Sequence, residues 1–506
     1  MPTAAKPLVS AAPPAVQPGP GRRARLTLAT VMIGAFMSLL DTTIVNVALP
    51  SIQHGLAASD SALEWVVSGY ALAFGLILIP AGRLGDAVGR KPLYLAGLVI
   101  FLLASLGAGL AHAAAWLVVA RIVQGLGAGT YYTQINATIV DTFAGPRRAR
   151  AFGILAAVIG LSTAVGPLVG GLLITAAGPN PGWRWIFLVN LAIGAVAVPA
   201  AVRFLPAPVR RARQQADTAG VALLTAALVL ILLPLIEGQS SGWPAWTYGC
   251  FAAAGPLLAG LWLWERRAER AGRTPLIPPR VVRRPVFATG ALFALLYFAS
   301  FTSIFFSLAV TWQEGFAHGA LASGLVVSPF ALGAIVTARR SHAIAARLGR
   351  RILVLGTAMV TAGLTAVLIV FHVTGEPRAW YLVGPLLLVG LGHGLVVAPN
   401  IDLVLRSVPP ADNGSASGVL NTAQRIGSAL GIAVVGTVLF GTLHPAGGGA
   451  PALAAAFSHS FQAALAVNIG LSVATLVLAL VTPGHMTAVP PGEAGAGATA
   501  AEGAGR

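Results

Sequence analysis

The chain has 506 residues, of which 56% are hydrophobic and only 9% charged, with a formal net charge of +17. A soluble domain carries roughly 25% charged residues, so no soluble surface can be built from this composition. The long apolar runs, each near the ~20 residues that a bilayer requires, exclude the short alternating segments of a transmembrane β-barrel.

Residues 1–25 are rich in Pro and Ala and are expected to form a disordered cytoplasmic tail. Arg22, Arg23 and Arg25 precede an apolar run too long for a signal peptide, and further runs follow it, so it reads as a first span with its basic flank inside. Spans are predicted near 26–48, 62–82, 92–111, 116–138, 149–176, 184–204, 217–236, 245–264, 286–310, 320–338, 352–372, 380–403, 415–440 and 461–481. They group into a six-helix half over 26–204, a linker over 205–284 with two extra helices, and a second six-helix half over 285–481. Residues 482–506, made of Gly, Ala, Pro and Glu, read as a second disordered cytoplasmic tail. The predicted fold class is an all-α membrane protein with fourteen transmembrane helices.

Charge tests the parity of these spans. With the N-terminus inside, all 32 Lys and Arg residues fall on inner loops and tails except Arg184 and Arg378 outside and Arg121 and Arg425 within spans. One missed or extra span would invert every later loop and destroy the asymmetry. Losing an adjacent pair would not, so hydropathy, through 217–236 and 245–264, carries the step from twelve to fourteen. Arginines clustered in this way match an anionic leaflet rather than nucleic acid.

The chain also repeats itself. Gly125-Leu-Gly-Ala-Gly129 returns as Gly390-Leu-Gly-His-Gly394, 265 positions later, and Gly89-Arg-Lys91 returns as Gly349-Arg-Arg351 at a slightly different offset. Two parallel halves with helices inserted between them would explain this, and such halves bind a transported molecule near the midplane between them.

Ionisable and polar groups inside the spans are the candidates for function. Asp41 lies in the first span, where a carboxylate costs roughly 2.5–3.5 kcal/mol on insertion scales and can exchange a proton; the alternative is a structural carboxylate paired to a neighbour. Arg121 lies in the fourth span and, being always charged, needs a partner or a water-filled cavity; the alternative is a fixed ion pair. Asn46, Gln124 and Asn421 are the polar candidates for a central cavity. Gly82, Gly85, Asp86, Gly89 and Arg90 form a turn between spans two and three, suited to ionic contacts that break when the halves rock; a plain solvated loop is the alternative. Gly160, Gly166, Pro167, Gly170 and Gly171 stand in the fifth span, where proline removes a helical hydrogen bond and glycines permit close packing. Glu64 and Glu237 lie at outer span ends, where they are expected to stay hydrated. His393 is expected to be satisfied locally, Asp402 to pair with Arg406, and Arg425 has no partner legible in the sequence.

An enzyme is not indicated. Cys250 is the single cysteine, and neither Lys6 nor Lys91 stands in a Gly-Lys-Ser/Thr context, so there is no P-loop and no ATP site. No nucleophile–base pair, metal set or cofactor motif is found.

Taken together the segments resemble the major facilitator superfamily, specifically its fourteen-span drug:proton antiporters. Leu40 to Pro50, Gly82 to Pro92, Arg121 to Gly129, Gly160 to Gly171, Trp183 to Asn190 and Ser417 to Gly427 resemble family segments in the expected order, over roughly residues 26–481. The resemblance implies proton coupling through Asp41 assisted by Arg121, an inner gate latched by Asp86 and Arg90, and a fifth helix shaped for antiport by Gly166 and Pro167. It implies efflux of a hydrophobic or cationic small molecule in exchange for protons, with the lipid bilayer as surroundings. The alternative is a proton symporter importing a small metabolite. Richness in Ala, Gly and Arg suits a high-GC bacterium, which would place the chain in its cytoplasmic membrane with both termini inside.

Overall fold

A computed structural model describes residues 21–143, 145–207, 217–238, 241–273, 275–408, 413–444 and 449–481. The predicted tails, beyond residues 21–25, and the basic run at 210–213 lie outside the described residues. In a bilayer each backbone N–H and C=O must be satisfied within its own segment, which leaves helices for a chain of long apolar runs. Among the described residues there is accordingly no strand. The first half contains α1 (Arg22–Leu56), α2 (Asp60–Val88), α3 (Arg90–Gly109), α4 (Ala114–Thr142), α5 (Gly145–Ala177) and α6 (Pro179–Phe204). An inserted pair follows, α7 (Thr218–Glu237) and α8 (Ala245–Arg270), then a short α9 (Pro279–Val282). The second half contains α10 (Pro285–Val310), α11 (Ala320–Val326), α12 (Ser328–Leu348), α13 (Arg351–Thr374), α14 (Val383–Arg406), α15 (Asn413–Gly441) and α16 (Ala450–Val481).

Among the described residues, twelve helical stretches are long and apolar enough to cross a membrane. The two other predicted spans, α4 and α8, are helices of 29 and 26 residues. α4 is less apolar because it buries Arg121, Gln124 and Gln134 against its neighbours, and α8 because it ends on Glu265, Arg266, Arg267, Glu269 and Arg270. The tenth predicted span is divided at Val327, just ahead of Pro329, into α11 and α12. α16 begins at Ala450 rather than 461, because Ser458 and Ser460 are buried polar positions that interrupt the apolar pattern without interrupting the helix.

The sequence repeat is a packing repeat. α4 is flanked by α2 and α3, as α14 is by α12 and α13; α1 packs on α5 and α6, as α10 does on α15 and α16. Gly125 and Gly129 lie against the α2 backbone at Tyr70 and Phe74, while Gly390 and Gly394 lie against α12 at Phe330 and Ala334. The middle glycines face the other flank, Gly127 meeting α3 at Phe101 and Gly392 meeting α13 at Gly356 and Val360. With no hydrophobic force between helices in lipid, close backbone approach is what holds them together. Gly89 and Gly349 end the second long helix of each half in the left-handed region, at φ 106° and 53°, which only glycine adopts without strain.

The halves meet along two seams. α2 lies against α15, with Ser68 donating to the Ala429 carbonyl (3.3 Å) and Thr422 to that of Gly75 (3.0 Å). α5 lies against α11 and α12. The inserted α7 touches both sides of the first seam, since Trp65 of α2 donates to Glu237 (3.0 Å) and Thr437 of α15 to the Leu235 carbonyl (2.5 Å). At the face bearing the basic loops, Asp217 caps α7 at Gly220 and accepts from Trp264, and Arg83 of α2 donates to the Pro275 carbonyl. The insertion is thus tied to the first half at both ends.

Gly390→Ala should destabilise the fold by about 1–3 kcal/mol, the usual cost of overpacking, because the added methyl meets the Phe330 backbone. Gly153→Ala, where nothing lies within 4 Å of the added carbon, should not. Thermal unfolding of the two variants in detergent reads the difference; equal melting temperatures would contradict it.

Candidate functional site

Asp41 lies near the middle of the 35-residue α1, and its carboxylate is the acceptor at the centre of a fully buried polar network. Arg121 of α4 donates from Nη1 to Asp41 Oδ2 at 2.7 Å. Gln124, one turn further along α4, donates from Nε2 to Oδ1 at 2.8 Å, and Asn190 of α6 donates from Nδ2 to the same oxygen at 2.8 Å. Ser105 of α3 accepts from both amides, at 2.6 Å from Gln124 and 3.2 Å from Asn190. Arg121 also donates to Gln124 Oε1 (2.7 Å) and from Nε to the Val66 carbonyl (3.0 Å), and its guanidinium sits 4.1 Å from the centre of the Tyr70 ring. Side chains from α1, α2, α3, α4 and α6 therefore converge, all within the first half.

The network satisfies the charge of Asp41 by one full cation and two amide donors. It leaves one donor over: Nη2 of Arg121 is buried with no hydrogen-bond partner. A proton on Asp41 would cancel the attraction that holds the guanidinium, and an unpaired buried cation is costly.

Of the cavity candidates, only Gln124 joins this network. Asn46 is buried on α1 with its Oδ1 unpartnered, and Asn421 donates within its own helix to the Ser417 carbonyl at 2.9 Å. Asn190 and Ser105 were not among the candidates. Asn190 stands in the apolar segment Trp183 to Asn190, where a buried amide is itself a signal; Ser105 gives none, because serine is common in membrane helices.

At the turn between α2 and α3, Gly82 and Gly85 let α2 approach Thr133 and Gln134 of α4. Gln134 reaches across this contact to the Ala81 carbonyl (3.0 Å). Arg90 pairs with Asp141 at the end of α4 (3.6 Å) and donates to the Gly82 carbonyl (3.5 Å). The Asp86 side chain lies outside the described residues. Asp141 is a partner that spacing does not reveal, because it lies on another helix.

The α5 motif is packed on two sides. Gly166 and Gly170 face Thr43 and Ile44 of α1, while Gly171 faces Ala320 and Leu321, and the Pro167 carbonyl meets Gly324 of α11. Gly160 lies near Ile335 of α12. Thr43 donates to the Ser162 carbonyl (3.3 Å), tying α1 to α5 beside the motif.

The remaining polar groups fall out as follows. His393 bonds Tyr297 (2.7 Å), Asp402 pairs with Arg406 (2.9 Å), and Arg425 sits over the Phe74 ring at 4.0 Å. Glu64 departs from expectation: it is 2% exposed rather than hydrated, because α15 covers it at Gly436.

The family model of the Major Facilitator Superfamily matches residues 31–432. The chain is 34% identical over 431 residues to a probable actinorhodin transporter of Streptomyces coelicolor, covering 85% of this chain and 75% of that one. It is 34% identical over 479 residues to a cephamycin export protein of Amycolatopsis lactamdurans, covering 92% and 94%. Among solved structures it overlays a bacterial homologue of the human lysosomal transporter Spinster with a TM-score of 0.62, covering 92% of this chain and 98% of that one at 15% identity, a likeness of fold. With its two half bundles and its match across most of its length, the chain belongs to the Major Facilitator Superfamily, as a multi-pass membrane transporter and not an enzyme.

Proposed function

We propose that the chain exports a hydrophobic, cationic small molecule, of the antibiotic kind, across a bacterial cytoplasmic membrane in exchange for protons. The observation that carries this reading is the buried Asp41–Arg121 pair with its spare guanidinium donor. The export named for the cephamycin relative supports the direction. All fourteen predicted spans cross, α4 and α8 included, and the basic face with both termini is cytoplasmic.

The coupling follows from competition. With Asp41 ionised, Arg121 is held against it, and a cationic cargo reaches the carboxylate only by displacing the guanidinium. A proton arriving from outside neutralises Asp41, weakens its hold on a cationic cargo and frees Arg121 to seek another acceptor. Exchange requires only that proton and cargo favour different states or compete for one group. The halves rock about the seams, and Arg90–Asp141 holds the cytoplasmic end of the first half together.

Three outcomes are expected. Expressed in a drug-sensitive host, the wild type should lower accumulation of part of an antibiotic and dye panel, and Asp41→Asn should abolish that protection; full export by the variant with unchanged proton coupling would remove Asp41 from the mechanism. Arg121→Gln alone should lose about 3–5 kcal/mol of stability, since it strands a buried carboxylate. Asp41→Asn/Arg121→Gln should regain folded yield in membranes yet not export, whereas export by the double variant would make the pair purely structural. A reporter fused after Arg213 should read cytoplasm, and an external signal would break the span count.

A further inference from the structure

Glu64 is a buried acid outside the Asp41 network. It is the fifth residue of α2, it is 2% exposed, and its Oε2 has no hydrogen-bond partner. Its carboxyl lies against Gly436 of α15, where an added Cβ would overlap it. Thus the group sits on the seam between the halves, and the second half is its cover.

The charges around it do not compensate it. Asp60 on its own helix and Glu237 on α7 act on it, and both are acids. Asp60 is held by Gln53 of α1 (2.8 Å) and Glu237 by Trp65 (3.0 Å). On α4 the guanidinium of Arg121 is committed to Asp41, Gln124 and the Val66 carbonyl. On α15 the adjacent Thr437 donates to Leu235, and Arg425 lies eleven positions deeper, over Phe74. On α1, His54 faces Glu314 (3.0 Å) across the mouth between the halves. Among the described residues Glu64 has no ion-pair partner. An unpaired carboxylate withdrawn from water takes up a proton rather than remaining charged.

We propose that Glu64 is a second proton-binding site, set on the seam between the halves, which keeps its proton while the outer mouth is closed and releases it when the mouth opens. This deepens the export reading and rests on it only for the direction of proton flow. A pocket of about 520 Å³ opens at the same mouth, lined by Gln53, His54, Asp60, Glu314, Phe440 and Leu443 among others. Asp60 stands on its wall one helical turn from Glu64, so protons have a route between the outside and the seam. Parting α15 from α2 withdraws Gly436, admits water and lets Glu64 ionise beside two other acids, which favours the open mouth. The closed state binds the extra proton, so raising the pH shifts the population toward the open state, by at most about tenfold per pH unit for one proton.

The test uses the purified full chain in lipid nanodiscs without any transported compound. Spin labels are placed at Ala57→Cys and His444→Cys, on opposite sides of the mouth, in a Cys250→Ser background. His54→Gln is included to remove the histidine that pairs with Glu314. Pulsed dipolar spectroscopy then gives the open-to-closed ratio between pH 5 and 9. The parent should open as pH rises, and Glu64→Gln should stay closed with its slope at least halved. Glu64→Leu should behave as Glu64→Gln does and stands in for it if that variant is not recovered. A parent with no slope, or neutral variants that keep the parent's slope, overturns the proposal. Failure of the export reading shows elsewhere, as a wild type that lowers the accumulation of no compound in the panel, and leaves this slope untouched.

Discussion

A carboxylate and a guanidinium cannot stay apart in hydrocarbon, and the first half of the molecule is arranged around that fact. Asp41 draws donors from α4 and α6 and a supporting hydroxyl from α3, while Arg121 reaches the backbone of α2 and the Tyr70 ring. Five of the six helices in this half are therefore pinned to one another by a single charge. Breaking such a pair by removing one member costs more than the pair itself contributes. That asymmetry makes the half bundle behave as one body.

Among the described residues the second half has no buried counterpart of that pair and is held by other means. Gly390, Gly392 and Gly394 repeat the close approaches of Gly125, Gly127 and Gly129. Its buried polar contacts are short hydroxyl and amide links, such as Ser303 to Asn468 at 2.6 Å, and an aromatic group around His393 that includes Phe301, Phe305 and Phe330. The buried ion pair lies in one half and the aromatic group around His393 in the other.

The sequence disclosed what is periodic and what is chemically out of place. Apolar runs gave every long helix, and the repeated glycine triplet gave the two halves, because each is a local pattern with a fixed spacing. Asp41 and Arg121 stood out because charges are rare in such runs. What stayed hidden is contact between elements. Ser105 and Asn190 complete the Asp41 site from helices that no spacing connects to α1, and Asp141 takes Arg90 from the far end of α4. Glu64 departs from its expected exposure for the same reason. Its place at a helix end suggests water, and only the covering helix α15, more than 370 positions away, removes it.

The inserted α7 bears on how the two bodies can separate. It is bonded to α2 through Glu237 and to α15 through Leu235, so one helix spans the first seam near its outer end. The α5 seam is lined instead by the close backbone approaches of Gly171 and Gly324. The two gaps are mechanically unequal. Parting α2 from α15 therefore has to carry α7 with one side and give up its bond to the other.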